Sequence, residues 1–600
     1  MKPVIDILEE RISAAMRQVS GEAAPAVVTP AKDPKFGDYQ ANGVMALAKK
    51  LKTNPRELAQ KVVDRLDVSD ICEEPEIAGP GFINLRLKPE FLSNALLEIN
   101  GDAKNHLGVS KVDKPKRIVV DFSGPNIAKQ MHVGHLRSTI IGDCICRVLE
   151  FLGHTVIRQN HIGDWGTQFG MLCALYERKR DEAIQKGEKV FPFMPLSDLE
   201  AFYREAKKLF DTDLYFANEA RQAVVGLHSG DQIWIAHWRE IIRASKTHYE
   251  KIYEALKVHL LDIHIRGESF YKDMLPEIVS ELKKKGLAVE SEGAICVFPE
   301  GFKDKEGKAL PVIVQKSDGA YLYATTDLAA IRYRVNELKA DKIIYVTDAR
   351  QQLHFEMVFA VAKKASWDVR QTTDGRRQKT EFVHVTFGSV LGENGKPLKT
   401  REGENVKLKD LLDEAVERAK AIVEAKNPDF SPEKKDKIAK AVGIGAVKYA
   451  DYSNNRTSDY IFSFDKMLAM DGNTAPYMQY AYARVHSIKD KGKDRGIEVD
   501  EELAGIKKLN LTEPAELDLA KQLIRYGEVI ESAAADYRPN YLTAYLYELA
   551  QKFSGFYTDC PVLKAEPDKR PTRLLLCDLT AQTIRHGLSE LLGIEVVEQM

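Results

Sequence analysis

The stretch RIVVDFSGPNIAKQMHVGHLRSTIIGDCICRVLEFLGHTVI, residues 117–157, decides how the chain folds. It opens on Arg117-Ile118-Val119-Val120-Asp121-Phe122, a short apolar run of the kind that forms a strand buried on both faces. Ser-Gly-Pro-Asn then breaks the strand. Leu136, Ile140, Ile141, Ile145, Val148, Leu149 and Leu152 recur at helical spacing, which predicts a helix near 135–152 stopped by Gly153. Thr155-Val156-Ile157 begins the next strand, so the stretch reads as a βαβ unit.

The βα pattern returns further on. Ala320–Lys339 reads as a βα stretch with a helix over Leu328–Leu338, Lys342–Val346 as a strand, 353–364 as a helix and Phe382–Phe387 as a strand. Between the two blocks, 180–290 is charge-rich and helical, like an insertion. From about 405 the periodicities are all helical, over 436–450, 474–489, 515–535, 540–556 and 571–592. The first hundred residues read as a small α/β module ending in GPGFINLRL (79–87), and 101–116 as a polar linker. The expected architecture is α/β: a doubly wound parallel-sheet (Rossmann-type) core, a small N-terminal α/β domain and an all-α C-terminal bundle. The expected divisions are 1–108, 115–403 with the insertion near 180–290, 404–465 as a helical linker region, and 466–600.

Composition excludes several classes. With 87 basic and 89 acidic residues in 600, the chain has no global charge to hold a polyanion, so any nucleic-acid surface must be local. A hydrophobic share of 44% and a charged share of 29% exclude a wholly disordered chain. No apolar run reaches the ~18 residues of a membrane span, so no membrane partner is expected. The start, MKPVIDILEERISAAM, is acidic and amphipathic rather than basic then apolar, and a cytoplasmic protein is expected. The cysteines (72, 144, 146, 173, 296, 560 and 577) form no CxxC pair, so neither a structural zinc nor another metal site is expected.

Two segments carry chemistry. In Pro125–His135, His132, Gly134 and His135 sit where the strand hands over to the helix. Ligands of open parallel sheets bind there, and a helix N-terminus favours phosphate. The plainer reading is that the two histidines cap the helix. In GSVLGENGKPLKTREG (388–403), Lys396 and Lys399 lie in a glycine-bounded loop able to fold over a triphosphate. Alone, that run is only a solvated charge cluster.

Together, H-x-G-H after the first strand and K-x-x-K-T after the last resemble the two signatures of class I aminoacyl-tRNA synthetases. FSGPNIAKQMHVGHLRSTIIGD (122–143), NHIGDWGTQFG (160–170), YATTDLAAIRYR (323–334), NTAPYMQYAYAR (473–484) and the tail through VVEQM (596–600) are similar to arginyl-tRNA synthetase over nearly the whole chain. Two positions depart: Pro397-Leu398 stand where the class at large has Met-Ser, and Gly124 where serine or alanine is common.

The resemblance implies an ATP-dependent ligation of L-arginine to its tRNA, with Mg²⁺ on the triphosphate and activation that requires bound tRNA. It implies phosphate contacts for His132, Gly134, His135 and Lys399, with Lys396 in support. It implies that Asn126 and His132 meet the amino-acid end of arginine. It further implies that Tyr323, Asp327 and Gln351 meet the guanidinium. A planar permanent cation does need a carboxylate and further acceptors. Asp327 has a plainer reading as the N-cap of a helix starting at Leu328, and Asp121 is a weaker amino-group candidate. Asn160, Asp164, Trp165 and Gln168 read as a pocket wall or as a packed turn.

Phe82 and Asn84 share one face of a strand, and the resemblance implies that they contact the outer corner of tRNA; the plainer reading is a core Phe and a turn Asn. The cluster Tyr477, Tyr480, Tyr482 and Arg484 could stack anticodon bases or pack inside the bundle. No exposed heptad is evident, and a monomer is expected. The rival readings are a small-molecule nucleotidyltransferase and a non-catalytic tRNA-binding relative.

Overall fold

The computed structural model describes residues 1–127, 129–166, 168–187, 199–372, 374–399 and 406–600. The chain forms two compact units, one of Asp113–Leu468 and one of Met1–Val112 with Ala469–Met600.

The first unit is built on the expected βαβ frame. Strand β1 (Arg117–Asp121) leads to helix α1 (Val133–Phe151) and strand β2 (Thr155–Gln159). The insertion follows and is mostly helical, its longest helix being α2 (Gln232–Ala255). The chain returns through α3 (Tyr323–Asn336), β3 (Lys342–Asp348), α4 (Gln352–Lys364) and β4 (Glu381–Phe387). A short strand β5 (Val390–Leu391), helix α5 (Pro432–Tyr452) and strand β6 (Tyr460–Ile461) complete the parts that bear on the site.

The four main strands are parallel in the order β4-β3-β1-β2. Val119, Ile343 and Tyr345 pack into one core with Leu328 and Ile331 of α3 and Phe355 and Val358 of α4. Their neighbours Ile118, Val120, Ile344 and Val346 are also buried and alternate to the other face, where α1 packs. Helices on both faces make the sheet doubly wound. The order reverses between β1 and β3, which opens a crevice beyond their carboxyl ends.

Several expectations change in detail. The strand before α3 (Val312–Gln315) belongs to a separate antiparallel three-stranded sheet, not to the parallel one. Helix α3 begins at Tyr323 after Leu322, so Asp327 lies inside the helix and is not its N-cap. The periodicity over 515–535 is two helices, Pro514–Ile524 and Tyr526–Asp536, meeting at Arg525. The segment 101–116 is less of a linker than its polarity suggests: a helix runs to Asp102, and Leu107 and Val109 are buried.

In the second unit a four-stranded antiparallel sheet carries Phe82–Leu85 as an inner strand. The N-terminal segment and the helical C-terminal segment share a core and a group of carboxylates. Glu528 accepts hydrogen bonds from the Ile5 backbone N–H at 3.1 Å and from the Tyr39 hydroxyl at 2.7 Å. Burial, together with the nearby Asp6 and Glu528 carboxylates, pushes Glu531 up from its ordinary 4.5 to about 7.

A carboxyl that holds its proton more tightly when folded makes the native state bind more protons between those values, so its contribution to stability falls as pH rises through them. Glu531→Gln keeps the hydrogen-bonding shape without the charge. Its urea midpoint is expected to exceed that of the parent above about pH 8 and to match it below about pH 5. An offset independent of pH would contradict this.

Candidate active site at the sheet switch point

The loop after β1 is the most constrained backbone of the crevice. Ser123 sits at φ 73° and Gly124 at φ 51°, both left-handed. Residues 123–127 are clipped to the loop after β2: Gly163 N–H donates to Pro125 O at 3.2 Å and Ile127 N–H to Gly163 O at 3.0 Å. A Cβ at Gly163 would lie 2.5 Å from Asn126 Oδ1, so a side chain there would displace the Asn126 amide. Asn126 is thereby presented, exposed, at the mouth of the crevice.

The two histidines of the signature do cap the helix. His132 Nδ1 accepts from Gly134 N–H at 3.0 Å, and His135 Nδ1 accepts from His132 N–H at 3.1 Å. This fixes their tautomers, since a ring whose Nδ1 accepts carries its proton on Nε2. Burial is the main cause that lowers both pKa values, His135 to about 4. Both rings are therefore neutral near pH 7 and offer Nε2–H donors, so capping and ligand contact use different nitrogens of each ring.

The opposite wall is acidic. Asp327 pairs with His354 Nε2 at 2.7 Å, and the Tyr323 ring lies 5.0 Å from the His354 ring. Tyr323 is 64% exposed, which leaves its face open to a ligand. Gln351 is exposed on the turn Ala349–Gln351 after β3, three residues before His354. Glu268 stands near both Asp164 and Asp327. Its burial and their charges push it up to about 7, while Trp165 N–H donates to it. Glu268 is thus close enough to Asp164 and Asp327 for their charges to act on it.

Sequence reasoning missed Glu268 and His354. Glu268 carried no local signal in the insertion, and His354 lay inside a stretch read only as a helix. Asp164 turns out to be mainly structural: it accepts from Ser269 N–H at 2.8 Å and Ser269 Oγ–H at 2.6 Å. Trp165 stacks on His228, with Lys272 over its ring. Asp121 is paired with buried Arg334 at 2.8 Å, so its charge is already countered.

The lysine loop is anchored to α1 at both ends. At its base, Arg137 Nη1 donates to Gly388 O at 2.9 Å and Ser458 O at 3.0 Å. Past its far end, Val133 N–H donates to Val406 O at 3.0 Å and Leu408 N–H to Met131 O at 2.9 Å. Lys396 and Lys399 are both exposed on the arm that returns along β5. Thr400 and Arg401 lie outside the described residues. Val406 follows Lys399 by seven positions, which tethers Lys399 within about 25 Å of the strand pairing at His132.

Of the expected RNA-contact residues, Phe82 is half-buried. Asn84 is 5% exposed, and its Oδ1 accepts from Gln40 Nε2 at 2.8 Å. Tyr480 is exposed, Tyr477 lies 5.6 Å from Tyr547, and the Arg484 guanidinium lies 4.9 Å from the Tyr557 ring. Tyr482 is instead buried and stacked on His486.

A doubly wound sheet with a histidine pair at the first helix and a lysine loop after the last strand defines a class I aminoacyl-tRNA synthetase. Comparison with known proteins agrees. The tRNA synthetases class I (R) catalytic domain matches residues 99–464, the Arginyl tRNA synthetase N terminal domain 6–87, and the DALR anticodon binding domain 478–600. An arginine–tRNA ligase of Synechococcus sp. is 50% identical over 600 residues, covering 99% of each chain. One of Hahella chejuensis is 50% identical over 596 residues, again covering 99% of each. The crystal structure of arginyl-tRNA synthetase from Plasmodium falciparum aligns over 100% of both chains with a TM-score of 0.82 at 31% identity. That of Thermus thermophilus does so with 0.78 at 25%. The chain belongs to the arginyl-tRNA synthetase family, and its activity is the ligation of arginine to tRNA.

Arg137 tests the anchoring. It is 1% exposed and pairs with Asp451, also 1% exposed, at 3.0 Å. Arg137→Met leaves the Asp451 charge buried alone, and a loss of about 3–5 kcal/mol is expected in urea unfolding. Asp451→Asn added to Arg137→Met removes that orphan charge and should recover part of the loss.

Proposed function

We propose that the crevice activates arginine as its adenylate and passes it to the terminal adenosine of tRNA. The observation that carries this reading is Asp327, held by His354 beside Tyr323 and Glu268, across from two neutral imidazoles with fixed Nε2–H donors. The guanidinium of arginine lies against Asp327 with Tyr323, Gln351 and Glu268 around it. Asn126, with His132, takes the amino-acid end, whose α-ammonium needs an acceptor such as Asn126 Oδ1.

The arginine carboxylate then attacks the α-phosphorus of ATP in line, and the bond to the bridging oxygen breaks to release pyrophosphate. His132 and His135 donate to phosphate oxygens, Gly134 leaves room for the nucleotide, and Lys399, supported by Lys396, offsets charge on the departing pyrophosphate. In the second step the 2′-hydroxyl of the terminal adenosine attacks the activated carbonyl, and AMP leaves.

ATP brings Mg²⁺ on its phosphates. Among the described residues no three His, Cys, Asp or Glu side chains gather to hold a metal.

The division at 1–108, 115–403, 404–465 and 466–600 assigns the outer corner of tRNA to the first part, its stem to the third and its anticodon to the last. Phe82 offers a ring beside the Gln40–Asn84 amide pair, and Tyr477, Tyr480 and Arg484 offer stacking and charge on one helix. A monomer and a cytoplasmic address are the parts of this reading that rest on sequence. Among the described residues no helix is long and apolar enough to cross a membrane.

Pyrophosphate exchange with ATP, run with bulk tRNA against arginine, lysine, glutamine and citrulline, tests the reading. Exchange is expected with arginine alone. Asp327→Ala should lower kcat/KM for arginine about a hundredfold or more while ATP binding survives. Unchanged arginine kinetics would refute its role. Lys399→Ala should instead depress kcat about a hundredfold with KM for arginine within about twofold. A change confined to tRNA affinity would show that Lys399 does not serve the phosphates.

A further inference from the structure

The left-handed turn at Ser123 and Gly124 is held by a hydrogen-bond chain that begins outside the parallel sheet. Tyr253, near the end of the insertion helix α2, is 3% exposed. Its hydroxyl lies 2.7 Å from Ser123 Oγ and 3.0 Å from Asn160 Nδ2. Ser123 Oγ lies 2.9 Å from Thr139 Oγ1, which lies 2.7 Å from His135 O. Asn160 Oδ1 accepts from Gly124 N–H at 3.0 Å, and Ser138 Oγ accepts from Ser123 N–H at 2.9 Å while donating to Val346 O at 2.6 Å.

The proton directions follow by elimination. His135 O has no proton, so Thr139 donates to it. Thr139 therefore accepts from Ser123, and Ser123 accepts from Tyr253. Asn160 is oriented by Gly124 N–H, so its amide nitrogen faces Tyr253 and donates to it. The chain runs one way, Asn160 to Tyr253 to Ser123 to Thr139 to His135, and each of the three hydroxyls both accepts and donates. A buried network satisfied in this manner is stiff, and one missing member leaves its neighbours unpaired.

We propose that the Tyr253 hydroxyl is a positioning group for arginine binding, through which the insertion sets the loop that presents Asn126. This rests on the reading of Asn126 as the contact for the amino-acid end. The carbonyl at the end of the chain belongs to a helix that fixes it independently. The turn at Ser123 belongs to no helix; beside this chain it is held only by Ser138 Oγ and by backbone hydrogen bonds to Phe122 and to the loop after β2, and it lies three residues before Asn126. Loss of the chain therefore acts on arginine more than on ATP. Tyr253 also has company on its helix: Trp238 Nε1–H donates to Asp164 O at 2.8 Å, so α2 touches the loop after β2 at two points.

The test is steady-state aminoacylation of bulk tRNA by the full chain, with arginine and ATP titrated separately. Tyr253→Phe keeps the ring and removes the hydroxyl. KM for arginine should rise about tenfold while KM for ATP stays within about twofold. Thr139→Val should do the same, the double variant should be no worse than either single, and Thr139→Ser should restore the parent value. If Tyr253→Phe fails to fold, the Thr139 pair decides alone.

A lowered melting temperature with both KM values unchanged would make Tyr253 a packing residue and overturn the proposal. So would strict additivity in the double variant. Asn126→Ala separates the two readings. If it raises KM for arginine and Tyr253→Phe does not, the positioning role fails and the Asn126 role stands. If the reverse is found, the chain positions the site through another group and the Asn126 role fails.

Discussion

A buried guanidinium ties the catalytic unit together. Arg137 lies one helical turn past the signature histidines, between the rings of Phe387 and Tyr460, and its charge meets Asp451 on α5. Removing such a charge from water costs several kcal/mol unless it is fully countered, so every partner must be in place. Those partners come from the loops at 388 and 458 and from α5. Satisfying Arg137 therefore sets the base of the lysine loop beneath the start of α1. The pairing of 406–408 with 131–133 returns the chain to the same place. The two signatures, more than 260 residues apart, meet because one buried cation needs acceptors from both regions.

Charge in the crevice is arranged by the same economy. The end proposed for phosphate has helix N–H groups, neutral imidazole donors and exposed lysines, and the end proposed for the guanidinium has carboxylates. Keeping His132 and His135 neutral avoids burying two imidazolium charges beside each other and leaves each Nε2 as a donor. Burial of Glu268 near the Asp164 and Asp327 charges pushes it up to about 7.

The insertion is part of this machinery. Helix α2 contributes Trp238 and Tyr253 to the loop after β2, and the segment after it brings Glu268 near Asp164 and Asp327. Elements read from sequence as an appendage thus support and line the site. The left-handed Ser123 shows why support is needed: a residue other than glycine in that conformation persists only when its surroundings over-determine it.

The sequence by itself determined the parallel frame, because apolar runs and helical periodicities are local signals that neighbouring residues carry together. It also determined the histidine and lysine signatures, whose spacing is short, and through them the family. Tertiary structure alone decided the rest. Asp327 reads as a cap when only its neighbours are considered, yet it lies inside α3 and meets His354 from another helix. Glu268, His354 and Tyr253 carry no local signature because their partners lie far along the chain. Asn84 and Tyr482 have the residue types of a binding surface, but packing against Gln40 and His486 buries them. Periodicity reports which face of an element is apolar; what a polar side chain meets depends on which distant elements packing brings against it.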